Sequence, residues 1–197
     1  MRWWSEPAGS CEWGMVLTHG AGSNAEAHLL KALSEAFAAQ GILVMRYDLP
    51  YREARPHGPP FPAQAAADRE GVRAASAEMR ARAPRVIAAG HSYGGRQSSM
   101  AAAEDSRMAD ALLLLSYPLH PPRKPEQMRT AHFGQLRTPA FFVHGSRDPF
   151  GSAEEMTAAI AMIPARTELM LVEGAPHGLS VAAVPQIVQR FTAFLKA

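Results

Sequence analysis

The stretch Arg85-Val86-Ile87-Ala88-Ala89-Gly90-His91-Ser92-Tyr93-Gly94-Gly95-Arg96 decides how the rest of the chain is read. Pro84 ends what precedes it, and Arg85 to Ala89 is a short, nearly continuous apolar run, the pattern of a strand buried on both faces. Tyr93 to Glu104 reads as a helix. Between the two lies Gly90-His91-Ser92-Tyr93-Gly94, a G-x-S-x-G sequence. A serine at a strand-to-helix turn projects its hydroxyl from the sheet edge, and glycines on either side keep side chains away from neighbouring backbone. The start of the helix also favours negative charge there. A glycine-rich turn with an incidental serine would show the same letters; the weight lies in the placement between strand and helix.

Outward from this stretch the chain alternates. Upstream, Met15 to His19 is an apolar run stopping at Gly20, and Glu26 to Gln40 has helical spacing through Leu29, Leu30, Leu33, Ala36 and Phe37. Gly41 closes that helix and Ile42 to Tyr47 is a second buried strand. Pro50 to Pro62 is proline-rich and predicts an irregular loop; Ala63 to Arg82 predicts a long helix. Downstream come a strand at Ala111 to Ser116, a proline-rich loop at Pro118 to Pro125, a strand at Pro139 to His144 and a helix at Ser152 to Ile163. A strand at Glu168 to Val172 and an amphipathic helix at Ser180 to Leu195 complete the order. Continuous apolar strands alternating with helices predict an α/β fold, a doubly wound and mostly parallel sheet. With 197 residues, 47% of them hydrophobic, the expectation is a single domain spanning residues 1–197.

Charge and cysteine content narrow the function classes. Lys and Arg number 20 against 18 Asp and Glu, scattered along the chain, so nucleic acid is not an expected partner. The one cysteine, Cys11, forms neither an intramolecular disulfide nor a metal-binding cluster, which fits a reduced, cytoplasmic setting. No stretch has the apolar length of a membrane span or a secretory leader.

A serine hydroxyl is a poor nucleophile near neutral pH, so it needs a base within hydrogen-bond reach and a third group to fix that base. Two later strands supply candidates at their ends. Asp148, in His144-Gly145-Ser146-Arg147-Asp148-Pro149, follows one; His177, in Gly174-Ala175-Pro176-His177-Gly178, follows the last. Asp48 precedes the serine and suits a loop cap or ion pair. Asp105 and Asp110 flank the start of a strand, at the wrong edge. His19, His91 and His144 adjoin glycines at strand ends and suit backbone hydrogen bonding. His28, His57, His120 and His132 lack metal-ligand spacing and fit surface or loop positions. No metal and no organic cofactor is expected.

Acyl transfer also needs donors aimed at the developing oxyanion. The Tyr93 N–H is one candidate; the other is the Ala21 N–H in the loop His19-Gly20-Ala21-Gly22-Ser23, with Gly20 and Gly22 bordering the substrate.

These residues together resemble the α/β-hydrolase superfamily: H-G-A-G at His19, G-H-S-Y-G-G at Gly90, H-G-S-R-D-P at His144 and P-H-G-L at Pro176 stand in that family's places and order. The resemblance runs from about Met15 to the end. The small size, with no insertion after Ala111 to Ser116 long enough to form a lid, is similar to the dienelactone-hydrolase-like and carboxylesterase-like branches. Tyr47-Asp48-Leu49-Pro50-Tyr51 with Gly94-Gly95-Arg96 is similar to a branch of small hydrolases that includes chromatin-associated relatives. Two departures stand out: the family's N-terminal strands shrink to little more than Trp3 to Trp13, and the dienelactone hydrolases' cysteine nucleophile is serine here. The resemblance implies hydrolysis of a small-molecule ester, thioester or lactone.

Arg96, one helical turn past Ser92, has two readings: recognition of a substrate carboxylate, or an internal ion pair, with Asp48 the candidate. Tyr51, Phe61, Tyr117, Leu119 and Phe150 follow strands and are expected around the mouth of an acyl pocket, or packing its loops down. Two rival functions remain open. Gly20-Ala21-Gly22-Ser23-Asn24-Ala25 fits a dinucleotide fingerprint with Asp48 as the ribose acid, which NAD titration would detect. A hydrolase fold serving only as an interaction module would turn over no ester. The oligomeric state is not legible.

Overall fold

A computed structural model describes residues 1–197. Seven strands form one sheet: β1 (Arg2–Ser5), β2 (Trp13–Thr18), β3 (Leu43–Tyr47), β4 (Arg85–His91), β5 (Ala111–Leu115), β6 (Ala140–Gly145) and β7 (Thr167–Val172). Their order is β1-β3-β2-β4-β5-β6-β7, and every neighbouring pair is parallel except β1 with β3. The remnant N-terminal strand is thus a short antiparallel cover on the β3 edge, with Arg2 opposite Tyr47.

Six helices cover the two faces: α1 (His28–Ala38), α2 (Pro50–Ala54), α3 (Ala65–Arg80), α4 (Tyr93–Glu104), α5 (Ala153–Ile160) and α6 (Val184–Lys196). Alternate residues of each strand feed opposite cores. Val86, Ala88, Leu112 and Leu114 pack with Val72 and Met79 of α3, Ala101 of α4 and Met156 of α5. Ile87, Ala89, Leu113 and Leu115 pack with Leu33 and Phe37 of α1 and Ile187 and Phe191 of α6. Both faces are covered, so the central strands, β5 above all, are largely apolar. No helix is long and apolar enough to cross a membrane.

Several boundaries differ from the sequence expectation, three of them for a plain local reason. Helix α1 begins at His28 rather than Glu26, because the Ala25 N–H is taken by Asp48 Oδ1 at 2.7 Å and the Glu26 N–H by Asn24 Oδ1 at 2.9 Å. These side-chain acceptors hold a turn where helical bonds would otherwise start. The proline-rich segment contains a helix, α2, with Pro50 at its first position, where a missing N–H costs nothing. Near the end, Ser180 Oγ caps a 3₁₀ turn at Val181–Ala183, and α6 starts only at Val184.

The topology fixes where a ligand binds. From β2 the chain steps to β3 on one side, whereas from β4 it steps to β5 on the other, opening a crevice beyond the carboxyl ends of β2 and β4. Ser92 is the first residue past β4.

Candidate active site

The β4–α4 turn places Ser92 at φ 50° and ψ −113°, a left-handed conformation that costs a non-glycine residue roughly 1–3 kcal/mol. Its surroundings hold it there. The Ser92 N–H donates to Leu115 O at 2.7 Å, and the Gly94 N–H donates to His19 O at 3.1 Å. A Cβ on Gly90 would lie 2.5 Å from the Gly94 carbonyl carbon, and one on Gly94 would lie 2.6 Å from His19 O. The close approach of β4, α4 and the end of β2 therefore requires glycine at both positions.

The loops after β6 and β7 carry Asp148 and His177 to the same rim. His177 Nε2 lies 2.8 Å from Ser92 Oγ, and His177 Nδ1 lies 2.8 Å from Asp148 Oδ2. Asp148 also accepts the Phe150 N–H on Oδ1 at 2.9 Å, and its carboxylate has no solvent exposure. An ionised Asp148 accepts from Nδ1–H, which leaves the Nε2 lone pair toward the serine hydroxyl. The Phe150 ring lies against the imidazole, centroids 4.2 Å apart. The two loops are stitched together by Arg147 N–H to Ala175 O at 2.9 Å and Gly174 N–H to Ser146 Oγ at 2.8 Å. His91 is placed to donate from Nε2 to His177 O at 3.2 Å, and burial pushes its pKa down to about 4, so it holds the loop as a neutral ring. His144 Nε2 meets Gly151 O at 2.7 Å. His19 accepts the Leu49 N–H on Nε2 and donates from Nδ1 to Gly20 O at 2.9 Å. Backbone bonding thus occupies all three strand-end histidines.

The loop after β2 is fastened from beneath through its carbonyls. Tyr51 Oη lies 2.9 Å from Ala21 O and 3.1 Å from Gly20 O, while Arg52 donates to Ser23 O at 2.8 Å and Ala21 O at 3.1 Å. The Ala21 N–H is left with no acceptor in the chain. Tyr93 opens α4, so its N–H has no partner inside the helix either. Beneath them lies Asp68, fully buried, which accepts the Tyr51 N–H at 2.9 Å and the Tyr93 hydroxyl at 2.7 Å. Burial, and then the Asp68 carboxylate, push the Tyr93 phenol far above its ordinary pKa.

A cavity of about 530 Å³ opens beside Ser92. Ala21, Tyr93, Arg96 and Phe150 line it, with Phe61 among the prolines at Pro59, Pro60 and Pro62; Met100, Pro118 and Arg129 complete most of the wall. Other expected pocket residues are corrected. Tyr51, Tyr117 and Leu119 are at most 1% exposed and do not reach the cavity. Tyr51 supports the β2 loop, Tyr117 donates to Arg129 O at 2.7 Å, and Leu119 packs over Gly151. Gly20 borders a separate hollow beside His91, and Gly22 is exposed, outside the cavity wall. The ion pair between Arg96 and Asp48 does not form: Asp48 is engaged by Ala25 and lies 3.4 Å from His19 Nε2. His120 lies in the loop after β5, where it is buried 3.2 Å from Glu155.

No group of three His, Cys, Asp or Glu side chains is assembled as a metal site. The Gly20–Ala25 segment departs from a dinucleotide site in two respects: the next helix starts only at His28, and Asp48 is consumed by the Ala25 N–H.

A doubly wound parallel sheet with a strained serine elbow after β4, and an acid and a histidine converging from the loops after β6 and β7, defines a small lidless α/β-hydrolase. The chain belongs to the Alpha/beta hydrolase domain family, whose model matches residues 12–187. Among solved structures, Est1E from Butyrivibrio proteoclasticus with bound ferulic acid superposes with a TM-score of 0.77 at 17% identity, covering 98% of this chain and 94% of the other. XC6422 from Xanthomonas campestris, described as an α/β serine hydrolase without a lid, gives 0.72 at 16% identity over 96% and 88%. A dienelactone hydrolase from Anabaena variabilis gives 0.75 at 16% identity, also over 96% and 88%.

Proposed function

We propose that this protein is a serine hydrolase that cleaves a small carboxylic ester, or a related thioester or lactone, through an acyl-enzyme on Ser92. One observation carries the reading: the unbroken series Ser92 Oγ, His177 and Asp148, with 2.8 Å at each link.

In the first step Ser92 Oγ attacks the carbonyl carbon while His177 Nε2 takes the hydroxyl proton, and the carbonyl π electrons move onto oxygen. The Ala21 and Tyr93 N–H groups receive that oxyanion. Collapse expels the alcohol, which leaves with the proton from His177. Water then attacks the acyl-enzyme with His177 again as base, releasing the acid and regenerating Ser92. Asp148 holds the productive tautomer and stabilises the imidazolium. The elbow, the glycine-walled approach of β2 and the free Ala21 N–H support this assignment, as does the similarity to a lidless serine hydrolase.

The test is turnover of 4-nitrophenyl butyrate by the purified protein and by Ser92→Ala. The expected result is hydrolysis by the first and loss of at least a thousandfold in kcat for the second, with an unchanged circular dichroism spectrum. Equal rates in the two proteins would refute the assignment.

A further inference from the structure

The cavity beside Ser92 is lined by two positive charges and no negative one. Arg96 sits on α4 about 6 Å of helical rise past the nucleophile. Its Nε is buried without a hydrogen-bond partner, and its guanidinium joins no ion pair. Arg129 comes from the long excursion between β5 and β6. Its backbone is pinned by the N–H donating to Leu119 O at 2.8 Å and the carbonyl accepting from Tyr117, yet its guanidinium meets only Pro118 O, at 3.4 Å.

Sheltered cations normally carry a partner, because removing them from water is expensive otherwise. Most of the other sheltered arginines of this chain obey that rule, Arg55, which has only the Pro59 carbonyl and the Phe61 ring, being the exception. Arg46 meets Glu26, Arg69 and Arg73 meet Glu104, and Arg52 meets four carbonyl oxygens. Around Arg96 the field is instead positive enough to be felt by its neighbours. Burial first, then Arg96, lowers the Arg129 pKa, and the same two causes push His132 down to about 4.

We propose that Arg96 and Arg129 form an anion-binding subsite, and that the substrate is an ester carrying a carboxylate about one helical turn from its scissile carbonyl. The substrate half rests on the ester-hydrolase reading of Ser92; the anion site stands on the two guanidiniums. Their planar forks match a carboxylate in bidentate fashion. The apolar walls from Phe61, Met100 and Phe150 suit the aliphatic or aryl body joining that carboxylate to the ester.

Two measurements test the inference separately. Calorimetric titration with benzoate, glutarate and inorganic phosphate should give carboxylate binding that weakens at least tenfold in Arg96→Gln and in Arg129→Gln. The charge-preserving Arg129→Lys, which guards against a folding defect, should retain part of it. Paired esters differing only in the carboxylate, 4-acetoxybenzoate against 4-methylphenyl acetate and monomethyl glutarate against methyl butanoate, should show at least one anionic member preferred tenfold in kcat/KM. That ratio should collapse toward one in each glutamine variant. Absent carboxylate binding, or a ratio indifferent to both substitutions, would overturn the carboxylate subsite while leaving ester cleavage intact, and binding of phosphate alone would overturn the carboxylate assignment. Carboxylate binding that depends on both arginines, with no ester cleaved at all, would uphold the subsite and defeat the Ser92 reading instead.

Discussion

Asp68 joins the two sides of the proposed oxyanion site: its Oδ2 accepts the Tyr93 hydroxyl at 2.7 Å and its Oδ1 accepts the N–H of Tyr51, whose own hydroxyl reaches the Ala21 carbonyl at 2.9 Å. One buried carboxylate therefore sets both backbone donors. Asp68→Asn places an amide donor against one of two existing donors and should lower kcat about tenfold with KM little changed. Tyr93→Phe, which removes one bond, should cost less, on the order of 1 kcal/mol of stability and a few degrees in Tm. A fall in Tm with kcat untouched would reduce Asp68 to a purely structural role.

Asp148 is inaccessible to solvent and accepts from both His177 Nδ1 and the Phe150 N–H. In Asp148→Asn the amide no longer imposes the Nδ1–H tautomer, and kcat should fall by roughly 10⁴ while KM moves only a few-fold. Steady-state kinetics on a neutral ester reads both. A loss of less than tenfold would mean that His177 is oriented by something else.

The Ser92 backbone stores strain that glycine would relieve, although glycine also gains freedom in the unfolded chain. Ser92→Gly should therefore raise stability by about 1 kcal/mol, a Tm gain of roughly 2–4 °C, while abolishing turnover. Differential scanning calorimetry checks this; a drop in Tm would show that the Oγ contact to His177 outweighs the strain.

His91 and His132 are neutral in the fold, with pKa values of about 4 against 6.5 for an unburied ring, in both cases chiefly through burial. Between those values the unfolded chain binds more protons, so stability is full above pH 6.5, falls as pH drops toward 4, and gains no further penalty from these groups below it. Each is worth roughly 3 kcal/mol over that window. Denaturant titrations from pH 7 to 4 should show the decline, and His132→Gln should flatten it; an unchanged slope in that variant would contradict the assignment.

The sheet, the elbow and the two loop residues were readable because each rests on a local signal. A central, doubly covered strand is largely apolar; Ser92 stands directly after one, and Asp148 and His177 lie in the loops that follow β6 and β7. The cavity wall was less readable. Tyr51, Tyr117 and Leu119 also follow strands, yet nothing in their immediate sequence separates a side chain aimed at a ligand from one packed beneath a loop. Asp68 and Arg129 act at long range: one faces Tyr51 and Tyr93 from the middle of an alanine-rich helix, the other comes from a stretch with no periodicity. A lone charge in either setting reads as solvated surface.

The central claim is that Ser92 is an activated nucleophile, and covalent labelling reads it most directly. After exposure to a fluorophosphonate, peptide mass spectrometry should find one adduct, on the peptide containing Ser92, and none in Ser92→Ala; His177→Ala should slow its appearance by orders of magnitude. An unlabelled protein, or an adduct that persists in Ser92→Ala, would contradict the account.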